Sequence, residues 1–423
     1  MKKLAIIGAG AAGMAIAALL ANQKQLAVTI YEKSDAVLRK VRATGNGRCN
    51  FTNANMDASH YTGSEAAGAE LILSNFGFQD ALLFFEGMGV AALTMESGMT
   101  YPQTLRAATI SEALERCVFY SEAQIRYQSE VCAIRKHAEY GFLVETKTDA
   151  EAFDFVVLAT GGAYGIGKSE WSNGYSLVKP LGHTITRLHA GICPLLVEEE
   201  GICRRLRGLR VHAKIGFQGR EYEDDLLFTE KGLSGISVFK ASNAILDQPA
   251  AQRTLQIDFL PGWSKKRAVD FLLNTARHHP RWTDTELCSG LLPKSLAQEL
   301  GAGISDDADR RDRMERRIDL AKSMRFHIRG VAVKEHGQVT CGGITMKEIF
   351  SNTLESKLAP GLYFAGEVLN VQGECGGYNL HWAWASASCV ADAIKCQTAS
   401  RKEKQDVSNQ AKINGDDSTR RAH

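Results

Sequence analysis

The first part of the chain contains the pattern that most restricts its possible folds. A short apolar run leads into the glycine-rich turn GAGAAG, which spans residues 8–13, and helix-forming residues follow it. A second apolar run, LAVTIYE, then ends in Glu32. A strand, a GxGxxG turn, a helix and a second strand ending in an acid roughly 20 residues beyond the turn are typical of a βαβ unit that binds a dinucleotide.

Each part of this pattern has a physical role. One glycine permits the tight turn, one lets the backbone approach a pyrophosphate, and one lets the helix pack on the strand. The N-terminus of the helix presents free N–H groups to the phosphates, and Glu32 can accept hydrogen bonds from a ribose. The predicted cofactor contacts here are Gly8, Gly10, Ala11, Ala12, Gly13 and Glu32. The alternatives are an ordinary glycine-rich turn and a signal peptide, although glycines are unfavourable in the apolar part of a signal peptide.

A second unusual stretch, TGNGRCNFTN, follows at 44–53. Its position beyond the second strand lets it extend along a long cofactor toward a flavin ring, which favours FAD over NAD. We expect the loop to contact the cofactor through Gly45, Asn46, Gly47, Arg48, Cys49 and Asn50. Lys33, Arg39 and Lys40 lie before it and can face phosphates or form a solvated basic face. A plain surface loop is the alternative for the whole stretch.

GAGAAG, Glu32 and TGNGRCNFTN together resemble the FAD-dependent family that includes aminoacetone oxidases and the bile-acid-inducible dehydro-bile-acid reductase. The resemblance extends to about Ala393. One departure is Leu38, where related FAD proteins often carry glycine. The resemblance implies that Val131 lies at the adenine end of the cofactor, whereas a core valine is the alternative. Residues 163–172 depart from the family pattern, and Ile236 stands where proline is usual.

Two later segments also fit a flavin site. The apolar run at 151–162 ends in Thr160, Gly161 and Gly162, a turn that many flavoproteins place against the cofactor. Near the C-terminus, a strand ending in Gly366-Glu367 is followed by a glycine-rich turn and a helix start. The N-terminus of that helix can stabilise negative charge on a reduced flavin. The predicted contacts in this segment are Gly366, Glu367, Gly376, Gly377, Tyr378 and Asn379.

These signals predict an α/β fold in which a Rossmann-like FAD-binding domain is built from two separated segments, 1–190 and 341–395. The short alternating runs between them predict an inserted antiparallel, barrel-like β-domain at 191–262 and 320–340. The charged residues and the helix-like pattern at 263–319 predict a helical insertion within this β-domain. The polar tail, 398–423, is expected to be disordered.

The formal net charge of +2 offers no whole-chain argument for a nucleic-acid or membrane partner. The ten cysteines form no CxxC pair, so we expect reduced thiols in a cytoplasmic protein, with no metal site and no redox-active dithiol. No second GxGxxG occurs, so a separate nicotinamide domain is not indicated. The oligomeric state is not indicated either.

The sequence leaves the reaction open. A small-molecule amine or alcohol can reduce the flavin, with oxygen as the reoxidant. Alternatively, NADH or NADPH can act as a dissociable co-substrate for the reduction of a C=C or C=O bond. His381 is the first candidate for proton transfer, ahead of His183, His327 and His336. The alternative from another class is an RNA-binding or RNA-modifying flavoprotein, which rests on the arginines at positions 204, 205, 207 and 210.

Overall fold

The computed structural model describes residues 1–62, 65–165, 174–331 and 337–419. Its strands are β1 (Lys2–Ile7), β2 (Leu26–Tyr31), β3 (Thr52–Asn53), β4 (Tyr61–Thr62), β5 (Ala92–Thr94), β6 (Met99–Pro102), β7 (Gln124–Arg126), β8 (Val131–His137), β9 (Gly141–Thr146), β10 (Ala150–Phe153), β11 (Phe155–Leu158), β12 (His189–Gly191), β13 (Leu195–Val197), β14 (Arg210–Phe217), β15 (Arg220–Phe228), β16 (Gly232–Ser234), β17 (Thr254–Asp258), β18 (Met324–Val331), β19 (Val339–Cys341), β20 (Leu362–Phe364) and β21 (Gln372–Gly373). Its helices are α1 (Ala11–Leu19), α2 (Arg39–Ala43), α3 (Glu70–Asn75), α4 (Phe78–Glu86), α5 (Ala107–Phe119), α6 (Gly174–Val178), α7 (Glu200–Arg205), α8 (Ile236–Leu246), α9 (Lys265–His278), α10 (Asp284–Cys288), α11 (Lys294–Gly301), α12 (Arg310–Ser323) and α13 (Tyr378–Thr419).

A five-stranded parallel sheet in the order β20-β11-β1-β2-β7 forms the centre of the first part of the molecule. Strands β1 and β11 lie side by side in it, with Leu4 opposite Phe155 and Ile7 opposite Leu158. Their apolar residues are buried, as expected for strands covered on both faces. Helix α1 packs against α5 and α13, so the N-terminal and C-terminal parts of the chain share one core.

The chain divides into two compact units. Of the described residues, the first unit contains 1–163, 174–188 and 342–419. The second takes His189–Cys341, to which Tyr164 also belongs. The two connections lie next to each other in the first unit, because the Thr186 amide donates to the Gly343 carbonyl over 2.8 Å. The sequence placed the boundaries at 190/191 and 340/341; that the first unit binds the cofactor stays a prediction.

The second unit is built on a closed barrel with the strand order β13-β16-β15-β14-β17-β18. Neighbouring strands are antiparallel, and alternate residues such as Ile215, Leu255 and Phe326 are buried. Helices α9 to α12 lie between β17 and β18 in the chain and carry their own buried side chains into the same core cluster. The predicted fold class, a Rossmann-like α/β domain with an inserted antiparallel barrel and a helical insertion, is confirmed.

That the C-terminal tail at 398–423 is disordered stays a prediction. Helix α13 continues through 398–419, and only the last four residues lie outside the described part. Within the described residues no cysteines are joined by a disulfide bond, and no helix there has the length and apolar character needed to cross a membrane.

Candidate functional site

The three glycines of the first turn occupy three different environments. Gly8 has φ +104°, a conformation that glycine adopts without the strain of a side chain. A Cβ at Gly13 would collide with the Gly8 carbonyl oxygen, whereas a Cβ at Gly10 would meet no atom within 4 Å. Gly10 is also the N-cap of α1 and provides no side-chain cap for its first N–H groups. The turn is therefore tight at Gly8 and Gly13 and open at Gly10, as a phosphate-binding turn requires.

Glu32 lies directly after β2 with its carboxylate held in place. One oxygen accepts a hydrogen bond from the Ala9 amide at 3.0 Å, and the other accepts from the amide and the hydroxyl of Ser34 at 2.9 and 2.6 Å. The Ser129 amide donates to the Glu32 carbonyl, which places the buried Val131 close in sequence to this end of the site. The position of Glu32 suits a ribose, and that of Val131 suits either an adenine contact or core packing.

The basic pair after Glu32 is divided between solvent and the site. Arg39 is exposed, whereas the Lys40 ammonium pairs with the Glu367 carboxylate at 2.7 Å. Glu367 also accepts from the Gly162 amide at 3.3 Å, so three predicted segments meet here. Leu38, the departure from the family pattern, has φ +57° and is 1% exposed. The backbone there has the left-handed conformation that explains why glycine is usual, and Leu38 accepts the strain while burying its side chain.

Two buried hydroxyl groups in this part of the first unit have no partner among the described residues. They are Thr160 Oγ1, in the predicted turn beside Gly161, and the phenol oxygen of Tyr175. Burial, together with the carboxylate of Glu367, raises the pKa of Tyr175. A buried polar group without a partner costs about 1–3 kcal/mol, so these hydroxyls favour a polar ligand at this place.

The loop at 44–53 has an unusual backbone. Gly45, Asn46, Gly47 and Cys49 all have positive φ, between 54° and 82°. Gly45 to Arg48 are exposed, and a Cβ at Gly47 would meet no atom within 4 Å. Cys49 is fully buried, and burial raises the pKa of its thiol to about 12. The thiol therefore packs the base of the loop, and the contact of Cys49 with the cofactor stays a prediction.

The end of this loop meets the glycine turn before α13. The side-chain amide of Asn53 donates to the Gly376 carbonyl at 2.8 Å, and the Asn50 side-chain oxygen accepts from the backbone amide of Thr100 at 3.0 Å. A Cβ at Gly377 would lie 2.7 Å from the Thr52 carbonyl oxygen and 2.9 Å from the Asn50 side-chain oxygen. Two segments that were predicted separately thus lie in contact with each other.

The side chain of Asn379 bonds to the glycine-rich turn, and its contact with the cofactor stays a prediction. Its amide group accepts from the Gly373 amide at 3.0 Å and donates to the Gly373 carbonyl at 2.7 Å. Asn379 therefore closes the turn on itself and holds the N-terminus of α13 in position. Gly366, at the end of β20, has φ +73°, and a Cβ there would lie 3.0 Å from the Ala12 Cβ in α1. Ala11, which precedes Ala12 in the chain, is half-buried.

A histidine that sequence reasoning missed lies at this turn. His60 Nδ1 is 3.1 Å from a Glu374 carboxylate oxygen, and its ring stacks on Tyr378 with centroids 4.4 Å apart. The Tyr61 hydroxyl donates to the Tyr378 carbonyl, and β4 pairs with β21, so the segment is fixed to the start of α13. The His60 side chain is 32% exposed. No sequence signal marks this pair, since its members are 314 positions apart.

The structure argues against a catalytic role for His381. Its ring is completely buried, with Nδ1 2.9 Å from the Thr52 hydroxyl and Nε2 2.9 Å from the Phe76 carbonyl. Since a carbonyl can only accept, Nε2 carries the hydrogen and Nδ1 accepts from Thr52. Burial lowers the pKa of His381 to about 4, so the ring is neutral and both nitrogens are engaged. His381 instead ties the loop at 44–53 to α13.

Two of the other candidate histidines have side-chain partners, and the third lies outside the described residues. His183 is buried against the Ser356 hydroxyl at 2.8 Å, and burial lowers its pKa. His327 pairs with Glu199 at 2.6 Å on the barrel. His336 lies outside the described residues.

The arginine cluster on the second unit is neutralised by acids. Arg205 forms two hydrogen bonds with Glu299, at 2.6 and 2.7 Å. The other three each have a carboxylate oxygen within 4.0 Å, namely Arg204 with Glu200, Arg207 with Glu230 and Arg210 with Asp225. The cluster therefore does not support a polyanion site, and the alternative of an RNA-binding protein loses its sequence argument.

Taken together, the first unit fits FAD. It offers an open phosphate turn at Gly10, an oriented carboxylate at Glu32 for a ribose, and the Lys40–Glu367 pair beside two buried hydroxyls that lack partners. The exposed residues 45–48 of the loop and the N-terminus of α13 belong to the same unit. FAD bound there would supply the redox chemistry of a flavin.

Comparison with known proteins supports this assignment. The family model described as the HI0933-like protein Rossmann domain matches residues 2–393. The chain is 32% identical over 400 residues to a 3-dehydro-bile acid delta(4,6)-reductase of Clostridium scindens, covering 91% of this chain and 97% of that protein.

Two further relatives have a different name. A ribosomal RNA dihydrouridine synthase of Escherichia coli is 31% identical over 411 residues, and one of Haemophilus influenzae is 28% identical over 407 residues. Each match covers 93% of this chain and 98% of the relative. The chain belongs to the HI0933-like family and is a flavin-dependent oxidoreductase.

Proposed function

We propose that this protein reduces a C=C bond conjugated to a carbonyl group, with NADH or NADPH as the source of electrons. The proposal rests on a chemical feature that is common to the substrates in the names of two kinds of relative. A Δ4,6 double-bond system beside a 3-oxo group and the 5,6 double bond of uracil beside its 4-carbonyl are both electron-poor alkenes. Relatives named for each of them match nearly the whole of this chain. Such a bond accepts a hydride at its far carbon and a proton at the carbon next to the carbonyl.

His60 is the residue that we assign to the proton. Glu374 holds Nδ1, so Nε2 is the ring nitrogen left to carry and release a proton. Stacking on Tyr378 fixes the plane of the ring, and an exposed fraction of 32% lets solvent restore the proton after each turnover. General acids placed in this way typically contribute a factor of 10² to 10⁴ in rate.

The N-terminus of α13 supplies the electrostatics. Gly376 and Gly377 have φ +139° and +97°, and the backbone N–H groups of the first turn of the helix follow them. Free N–H groups at a helix N-terminus stabilise nearby negative charge. FAD, when bound, would supply the hydride; the residues of the chain hold the ring, exclude water and deliver the proton.

Two half-reactions test the proposal. Holoprotein is mixed anaerobically with NADH or NADPH while the yellow absorbance is followed, and a 3-oxo-Δ4 steroid is then added to the reduced protein. We expect bleaching by one nicotinamide and recovery of colour with the alkene. If aminoacetone bleaches the protein, oxygen restores it and neither nicotinamide reacts, the protein is an amine oxidase and the proposal is wrong.

The role of His60 is separable in the same assay. His60→Asn should leave bleaching by the nicotinamide unchanged and slow recovery with the alkene by about 100-fold. Glu374→Gln should slow the same half-reaction less, because it leaves the imidazole in place. His212→Asn, an exposed histidine paired with Glu223 on the barrel, is the control and should have no effect. Equal slowing of both half-reactions by His60→Asn would contradict proton donation.

A second candidate is reduction of a uracil base within RNA. The two dihydrouridine synthase relatives favour it, since they match this chain over the same extent as the bile-acid enzyme. The same reduced protein is mixed with a uridine-containing single-stranded RNA instead of the steroid. Recovery of colour with RNA and not with the steroid would select this candidate, and the opposite result would exclude it.

A further inference from the structure

The wall of the barrel contains a cavity that the proposed reduction does not use. Its volume is about 570 Å³, and it is lined by the hairpin between β14 and β15 and by parts of β17 and β18. Small-molecule sites typically measure about 300–1,000 Å³. The size of the cavity therefore suits a small molecule.

The floor of the cavity is open because one residue of β14 has no side chain. Gly216, Gln256 and Arg325 lie side by side on β14, β17 and β18. Ile215 and Leu255, which precede two of them in the chain, are buried in the barrel, so this row belongs to its outer face. A Cβ at Gly216 would meet only the Gln256 carbonyl oxygen, at 3.8 Å. A larger residue would fit the strand and would occupy the cavity.

Two arginines of the lining, Arg220 and Arg325, have no acidic partner. In the described part of the chain no carboxylate lies within ion-pair distance of either of them. Glu221, the acid among the described lining residues, pairs with Lys214 at 3.0 Å. His327, which also lines the cavity, has an acidic partner of its own. The cavity therefore contains positive charge that the described residues do not compensate.

The two arginines lie on strands that are not neighbours. Arg220 begins β15, Arg325 belongs to β18, and β14 and β17 lie between these strands. Neighbouring strands are about 4.8 Å apart, so the two backbones are roughly 14 Å apart. Each guanidinium presents a planar set of N–H groups that matches a phosphate or a carboxylate. Gln256 and Thr254, on the strand between them, offer an amide and a hydroxyl to an uncharged polar group.

We propose that this cavity binds a small molecule with two anionic groups, one held by Arg220 and the other by Arg325. A hydroxylated body of about the size of a sugar would join the two groups and form hydrogen bonds with Gln256 and Thr254. Sugar bisphosphates and hydroxylated polycarboxylic acids share this chemistry. The inference goes beyond the proposed reduction and does not depend on it.

Calorimetric titration of the full-length holoprotein tests the site with three probes, namely fructose 1,6-bisphosphate, glucose 6-phosphate and citrate. We expect the bisphosphate or citrate to bind once per chain, and the probe that binds shows whether the site takes phosphates or carboxylates. Glucose 6-phosphate, which has one anionic group, should bind at least tenfold more weakly. Arg220→Gln and Arg325→Gln should each raise the Kd of the bound probe about 10- to 150-fold, because each removes a hydrogen bond between charged groups.

Gly216→Val tests the cavity itself. The valine side chain should abolish binding without lowering the thermal midpoint, because a β-branched residue suits a strand. Gly330→Val, on β18, is the matched control for the substitution, since a Cβ there meets no atom within 4 Å. Arg207→Gln removes an arginine that pairs with Glu230 and is the matched control for charge. Both controls should bind the probe as the wild type does.

Three results would overturn the inference. These are no binding of either the bisphosphate or citrate, equal affinity for glucose 6-phosphate, and wild-type affinity in Gly216→Val or in either arginine variant of the cavity. The titration measures heat of binding and not the colour of the flavin, so its outcome is independent of the reduction assay.

Discussion

At the scale of single residues, two glycines of the first turn have different expected roles: Gly13 allows close packing within the protein, and Gly10 leaves space for the cofactor. Gly13→Ala places a methyl group against the Gly8 carbonyl oxygen and should destabilise the protein by about 1–3 kcal/mol with or without cofactor. Gly10→Ala meets no protein atom and should leave the stability of the cofactor-free protein within about 0.5 kcal/mol of wild type. We expect it to weaken FAD binding at least tenfold, because the methyl group would lie where we propose that the pyrophosphate approaches.

Urea unfolding of the cofactor-free proteins and fluorescence titration with FAD measure these two effects. Gly330→Ala, on β18, is the control for a glycine substitution away from the site, because a Cβ there meets no atom within 4 Å and the backbone has no positive φ. Unchanged FAD affinity in Gly10→Ala would show that this turn does not hold the pyrophosphate.

His381 makes stability depend on pH. Its pKa is about 4 in the folded protein because of burial, and that of an unfolded histidine is about 6.5. The unfolded chain therefore binds a proton that the folded protein does not, so stability should fall as the pH decreases from about 6.5 to about 4 and then level off. The full effect is on the order of 3 kcal/mol. The pKa of His183 is also lowered by burial, which adds to the same trend.

Unfolding free energies of wild type and His381→Gln across this pH range measure the contribution of His381. The variant keeps one donor and one acceptor near Thr52 and Phe76, and its stability should vary less between pH 4 and 6.5. An identical pH profile for the two proteins would show that His381 is not held neutral by its surroundings.

At the scale of elements, the start of α8 explains a departure from the family pattern. Ile236 is the first residue of the helix after Gly235, which has φ +99°, and its side chain is 39% exposed. Proline is favoured at this position because its φ suits the helix and its missing N–H is not needed there. Ile236→Pro should therefore stabilise the protein by about 0.4–1 kcal/mol.

The measurement is the urea midpoint of the variant. Ser237→Pro, one residue further into the helix and fully buried, is the contrasting variant and should destabilise the protein. A loss of stability in Ile236→Pro would mean that the packing of the isoleucine outweighs the gain in chain entropy.

At the scale of the whole molecule, the second unit is inserted between two neighbouring points of the first. The Gly343 amide donates to the Thr186 hydroxyl at 2.9 Å, and the Thr186 amide donates to the Gly343 carbonyl. Replacing 189–341 by a short Gly/Ser linker should therefore leave the first unit able to fold and to bind FAD. Purified protein that remains yellow after gel filtration would support this expectation, and folded but colourless protein would show that the cofactor needs the second unit.

The sequence alone was sufficient for features that depend on local backbone chemistry. The βαβ unit follows from its glycines and apolar runs, because phosphate binding requires small residues at fixed spacing. The barrel and the helical insertion follow from the change of hydrophobic period between 191 and 319, and FAD follows from two motifs whose turns are each encoded within about ten residues.

Only the tertiary structure decided which polar groups meet. His381, favoured by its position in a motif, proves to be buried with both nitrogens bonded, whereas His60, which lies in no motif, pairs with Glu374 across 314 positions. The arginines at 204–210 look like one basic patch in the sequence, but each faces an acid from another segment or the adjoining strand or helix turn. Burial and pairing depend on side chains distant in sequence, so spacing along the chain cannot reveal them. Which polar groups meet in this protein is therefore decided by its three-dimensional packing, whereas its fold and its cofactor can be predicted from local sequence patterns.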